Sequence, residues 1–98
     1  MPKPFECASG NFTGTGAAKT VTLGFEPQVL IMFNETDGDT VCMCINGETA
    51  ATGISIVSVA AKIAAQGITL TSTGFTLGTS AVCNENGKVF KYVAIGSV

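Results

Sequence analysis

Between Thr20 and Asn34 the chain reads TVTLGFEPQVLIMFN, and few folds accommodate that order of residues. Thr20 and Thr22 alternate with Val21 and Leu23, the period-2 pattern of a half-buried strand. Gly24 frees the backbone and Pro27 cannot donate to a ladder, which predicts a break or bulge at this corner. Val29 to Phe33 then runs without a polar residue, between Pro27 and the turn residues that follow Asn34. That length is too short for a helix and predicts a strand covered on both faces.

The rest of the chain repeats this grammar of short apolar runs and turn signals. Phe5 to Thr13 alternates loosely and predicts a first strand with a bulge or kink at Gly10. Gly14 to Ala18 reads as a turn; its Gly-x-Gly lacks the third glycine, the Lys-Ser/Thr pair and the following helix of a phosphate loop. Asp37-Gly38 predicts a hairpin into a strand from Thr40 to Asn46, with Cys42 and Cys44 on one face and Val41, Met43 and Ile45 on the other. Asn46-Gly47 opens a small-residue loop over 47–53, and Ile54 to Val59 is again strand-like. Ala60 to Gln66 has the one helical composition, a helical turn or loop with Gly67 placed as its cap. Residues 67–79 carry the cleanest alternation and predict a hairpin with Ile68, Leu70, Phe75 and Leu77 inward and threonines outward. Asn84 to Gly87 predicts a last hairpin turn. The strand from Lys88 to Ile95 then places Phe90, Tyr92 and Ala94 on one face and Val89, Lys91, Val93 and Ile95 on the other. The expectation is one domain over residues 1–98, all-β, an antiparallel β-sandwich of seven to eight short strands, jelly-roll-like.

Composition narrows the function classes. Only 12% of residues are charged and 46% are hydrophobic, apolar for so small a domain, so a partner or symmetry mate is expected to cover some of the excess, the alternative being a well-filled sandwich core with Thr, Ser and Gly outside. The five basic residues are scattered lysines (Lys3, Lys19, Lys62, Lys88, Lys91) with no arginine, which argues against nucleic acid. No apolar run approaches a membrane span, and MPKPFECASG lacks the apolar core of a signal peptide, so folding in a cytoplasm is expected. Cys7, Cys42, Cys44 and Cys83 are then read as reduced thiols, with a disulfide as the alternative; C-x-C and two single cysteines do not fit a zinc site. Without histidine, neither Ser-His-Asp nor Cys-His chemistry is available. Glu35 and Asp37 sit in a turn with nothing to raise a carboxyl pKa, and the acidic cluster over 34–39 lacks EF-hand spacing. No enzyme, catalytic residue, cofactor or metal is expected.

Four segments in order carry a resemblance: F-T-G-T-G; T-V-T-L-G-F-E-P-Q-V-L-I-M-F-N; G-I-T-L-T-S-T-G-F-T-L-G-T; and N-E-N-G-K-V-F-K-Y-V-A-I. Together they resemble a small β-rich module of tailed-phage virion structural proteins, with residues 46–66 the least typical part. The resemblance implies a capsid decoration (cement) protein that sits on the virion surface after synthesis in the host cytoplasm. It implies a homotrimer that contacts the major capsid protein or another virion protein. The alternative it implies is a receptor- or carbohydrate-binding module at a tail-fibre or head-fibre tip. In that case the loops over 34–39 and 46–53, with Asp37 and Asp39, would discriminate.

Overall fold

The computed structural model describes residues 5–47, 52–56, 60–63 and 65–97. In chain order its strands are β1 (Phe5–Thr13), β2 (Lys19–Thr22), β3 (Glu26–Asn34), β4 (Val41–Ile45), β5 (Ile54–Ile56), β6 (Ala60–Lys62), β7 (Ile68–Leu70), β8 (Gly74–Leu77) and β9 (Val89–Ser97). One short helix, α1 (Ala81–Asn84), precedes β9. A six-stranded sheet runs in the order β1-β9-β3-β4-β5-β6, and a three-stranded sheet in the order β2-β8-β7. Every strand pair is antiparallel. The all-β antiparallel sandwich expected from the pattern is therefore the fold observed.

The core lies between the sheets. Leu30 and Met32 of β3, Cys42 and Cys44 of β4, and Phe90 and Ala94 of β9 face Ile68, Phe75 and Leu77 from the smaller sheet. Phe12 stacks on Phe90 with centroids 5.3 Å apart, and Phe75 meets the Tyr92 ring edge-on at 5.3 Å, joining the two layers. Strand β9 lies inside the larger sheet, paired with β1 on one side and β3 on the other. The Pro27 corner is a bulge, where the β3–β9 register shifts between Pro27 and Val29. The expected 67–79 hairpin is present with Thr69 opposite Thr76, and Asp37-Gly38 joins β3 to β4 with Gly38 at φ 70°.

Several local expectations are corrected. β1 runs through Gly10 without a bulge; a side chain there would come within 2.8 Å of the Tyr92 hydroxyl, so the glycine makes room for that ring. Ala60–Lys62 is a strand rather than a helical turn, because pairing with β5 outweighs alanine's helix propensity over so few residues. Gly67 does not cap a helix; it allows close approach to Thr52, whose carbonyl would lie 2.6 Å from an added Cβ. Asn86-Gly87 does turn, but it links α1 to β9 rather than two paired strands. Of the expected strand Ile54 to Val59, residues 57–59 lie outside the described residues, as do 48–51 of the loop before it.

Candidate interaction surface

The expected strand from Val29 to Phe33 is covered on one face only. Leu30 and Met32 are fully buried, while Ile31 is 38% and Phe33 40% exposed. The register shows what surrounds them on the outer face of the six-stranded sheet. One row across the strands is Cys7, Ile95, Val29 and Ile45. The next is Ser9, Val93, Ile31, Met43, Ile54 and Lys62. A third row runs through Asn11, Lys91, Phe33, Val41 and Ile56. Ile45 and Ile95 are 58% and 40% exposed. Val29, Val41, Met43, Ile54, Ile56 and Val93 are half-buried by their neighbours in the same layer.

The apolar part of this face spans four strands and three rows. Standard strand and residue spacings give it roughly 400 Å². That is the size of the largest apolar patch on many monomers, and such patches are often functional. A shallow groove lined by Ile31, Phe33, Lys91, Tyr92 and Val93 runs along it. At its margin Lys91 pairs with Glu35 at 3.1 Å, and beyond that Lys88 pairs with Asp37 at 3.1 Å. The outer face of the smaller sheet differs in kind: there Thr20, Thr76 and Thr69 line up in one row. One side of the sandwich is covered by hydroxyls and the other by hydrocarbon.

The acidic loop is built for structure. Asn34 is buried; its Oδ1 accepts from the Asp37 amide at 3.0 Å and its Nδ2 donates to the Asp37 carboxylate at 3.2 Å. Thr36 Oγ1 accepts from the Val89 amide at 2.8 Å, and Asp39 accepts from the Thr40 hydroxyl. Lys88, hydrogen-bonded to Asp37, has its ammonium pKa raised by that bond and by the Asp37 charge. Glu35 and Asp37 thus each hold a lysine rather than converging on one site.

None of the four cysteines is in a disulfide. Cys7 is exposed, and Cys42, Cys44 and Cys83 are buried. Burial and the neighbouring Cys83 push the Cys42 thiol up to about 12, and burial pushes Cys83 to about 11, so neither supplies a thiolate nucleophile near neutrality. Among the described residues no three His, Cys, Asp or Glu side chains gather as metal ligands, and no helix is long and apolar enough to cross a membrane.

One important polar residue escaped the sequence pattern. Asn84, fully buried at the end of α1, accepts from the Thr15 amide at 3.0 Å and donates to the carbonyls of Ala17 at 2.6 Å and Gly78 at 2.9 Å. It ties the 14–18 turn to the end of the smaller sheet. In the sequence it is one more Asn in a turn-rich segment, with nothing to mark it as buried. Comparisons with protein-family models, with curated proteins and with solved structures found no match for the chain.

Proposed function

We propose that this chain is a structural protein of a tailed-phage virion, and that it attaches to the assembled capsid shell through the apolar outer face of the six-stranded sheet. The observation that carries the reading is that face: three rows of Ile, Val, Met and Phe in which Ile31, Phe33, Ile45 and Ile95 remain exposed. The resemblance to virion modules supplies the setting and the partner, the major capsid protein. A protein that binds only the assembled shell stabilises it by mass action, and several copies joined to one another add avidity. The mechanism needs burial of hydrocarbon and no bond-making step.

The test is the copy number of this protein in purified particles, by quantitative mass spectrometry against the major capsid protein. A number close to that of the capsid subunit is expected, together with particles that lose heat resistance when the protein is omitted. A handful of copies would replace this reading with the fibre-tip one. Absence from particles would overturn both.

A further inference from the structure

We propose that β1 is a docking edge for a second copy of this chain, and that two copies pair antiparallel through β1, with a two-fold axis at Ser9, to join their six-stranded sheets. The starting point is which way the backbone of β1 points. Gly14 donates its amide to the Lys88 carbonyl at 2.8 Å, so the pair next to Thr13–Val89 is a hydrogen-bonded one. On the far side of β9, Glu35 donates to the Val89 carbonyl at 2.8 Å, which commits Val89 to β3 and not to β1. Hydrogen-bonded and non-bonded pairs alternate in an antiparallel ladder. Phe12, Gly10, Ala8 and Glu6 therefore bond to β9, while Thr13, Asn11, Ser9 and Cys7 turn their N–H and C=O groups away from it. Those four residues are exposed, and among the described residues β9 is the one strand paired with β1.

Natural edge strands are usually short, bulged, or interrupted by lysine or proline. β1 has nine residues, an unshifted register along its whole length, and neither lysine nor proline in FECASGNFT; its single charge, Glu6, sits at one end and leaves residues 7–13 without any. The occupant follows from length and charge. Among the described residues the other strands at sheet ends are β6 and β7, with three residues each, and β2, with four, and none is long enough to cover β1. β1 itself can. With Ser9 opposite Ser9 of the second copy, Cys7 lies opposite Asn11 and Phe5 opposite Thr13, and these are the residues whose backbone groups point outward. Two bonds per such pair give about ten across the junction. Glu6, the one charged residue of the strand, lies opposite Phe12 of the second copy, so like charges do not meet. Two six-stranded sheets become one of twelve, and their apolar outer faces lie on the same side. The junction is two-fold, unlike the threefold assembly that the virion resemblance implies, and it does not depend on what the apolar face binds.

The test is sedimentation of the full chain from ~1 to ~100 µM, a range that brackets a micromolar dissociation constant. Amide exchange of the same samples is followed residue by residue. The expected species has twice the 9.9 kDa of one chain, with slow exchange at Cys7, Ser9, Asn11 and Thr13. Ser9→Pro removes an outward N–H and leaves the β9 ladder intact, so it raises the dissociation constant ~100-fold or more while Ala8, Gly10 and Phe12 stay protected. Should that variant lose the protection of Ala8, Gly10 and Phe12, Ser9→Lys keeps the amide and sets two ammonium groups on the axis, with the same expected loss. A native chain that stays at one mass throughout, or forms a trimer, overturns the proposal. So does a dimer whose Cys7, Ser9, Asn11 and Thr13 amides exchange freely, or one that the folded Ser9 variant leaves equally tight, since that dimer would be using the apolar face.

Discussion

Leu30 and Ile31 are neighbours of nearly equal hydrophobicity, and the structure assigns them opposite jobs. Leu30 is fully buried between the sheets, so Leu30→Ala removes packed carbon and leaves a cavity, at about 3–5 kcal/mol. Ile31→Thr keeps a β-branched residue and replaces two carbons by a hydroxyl. Two carbons fully buried are worth about 1.6 kcal/mol, and with Ile31 38% exposed the loss is about 1 kcal/mol. Urea titration followed by far-UV circular dichroism reads both. With a slope of about 1 kcal/mol/M for a chain of this size, the midpoint falls by about 3–5 M for the first variant and about 1 M for the second. A native midpoint lower than the first figure would leave Leu30→Ala unfolded in buffer, which gives the same ranking. If Ile31→Thr shifts the midpoint as far as Leu30→Ala, something in the folded chain covers the outer face, and the surface on which the functional proposal rests does not exist.

Asn84→Leu strands the Thr15 amide and the Ala17 and Gly78 carbonyls, and is expected to cost about 3 kcal/mol in the same titration. Gly10→Ala drives a methyl toward the Tyr92 hydroxyl; the ring must shift, at about 1 kcal/mol, with a change in near-UV dichroism as the Phe75–Tyr92 contact moves. A thiol reagent should modify Cys7 at once and Cys42, Cys44 and Cys83 only on unfolding. Cys42 and Cys83 remain protonated in the fold to about 12 and about 11, against 9.0 for the ordinary thiol, so unfolding releases protons above pH 9. Their contribution to stability is complete below pH 9 and falls by about 3 kcal/mol per pH unit above it, until Cys83 titrates; urea midpoints measured from pH 8 to 11 check the slope. Ile31→Thr with Ile95→Thr, checked for native far-UV dichroism, is expected to lose particle binding in co-sedimentation.

The elements that were legible in the sequence are those fixed by local chemistry. Alternation placed β2, β4, β7, β8 and β9, and proline's missing donor placed the bulge after Pro27. The parity of β4 and β9 was also legible, down to Cys42 and Cys44 facing opposite to Met43 and Ile45. What alternation does not carry is which side of a strand is inside when both are apolar. In β3 that is decided by where strands β7 and β8 of the smaller sheet land, a contact between residues more than thirty positions apart. Gly10 and Ala60–Lys62 were misread for the same reason. A glycine under a tyrosine ring and an alanine run recruited by β5 are set by partners distant in sequence or by pairing, and no local preference reports them. Asn84 belongs here too, because its three bonds reach segments that the chain brings together only on folding.

The two outer faces of the sandwich show that the apolar one is not a by-product of making strands. Thr20, Thr69 and Thr76 satisfy the strand preference for β-branched residues while keeping a hydroxyl in water. The same solution was available at Ile31, Ile45 and Ile95, at a stability cost of about 1 kcal/mol each. Hydrocarbon there makes the free protein less soluble and stabilises it little, which fits a surface whose stabilising effect comes on contact with something else. That contact uses side chains, whereas the β1 edge offers backbone groups beside small residues at Cys7, Ser9 and Asn11, where the apolar rows end. Because the two surfaces draw on different atoms and lie side by side, pairing through β1 leaves the apolar face open and doubles it. A dimer of this kind would present two binding faces to the proposed capsid surface, and each face, once bound, would raise the effective concentration of the other.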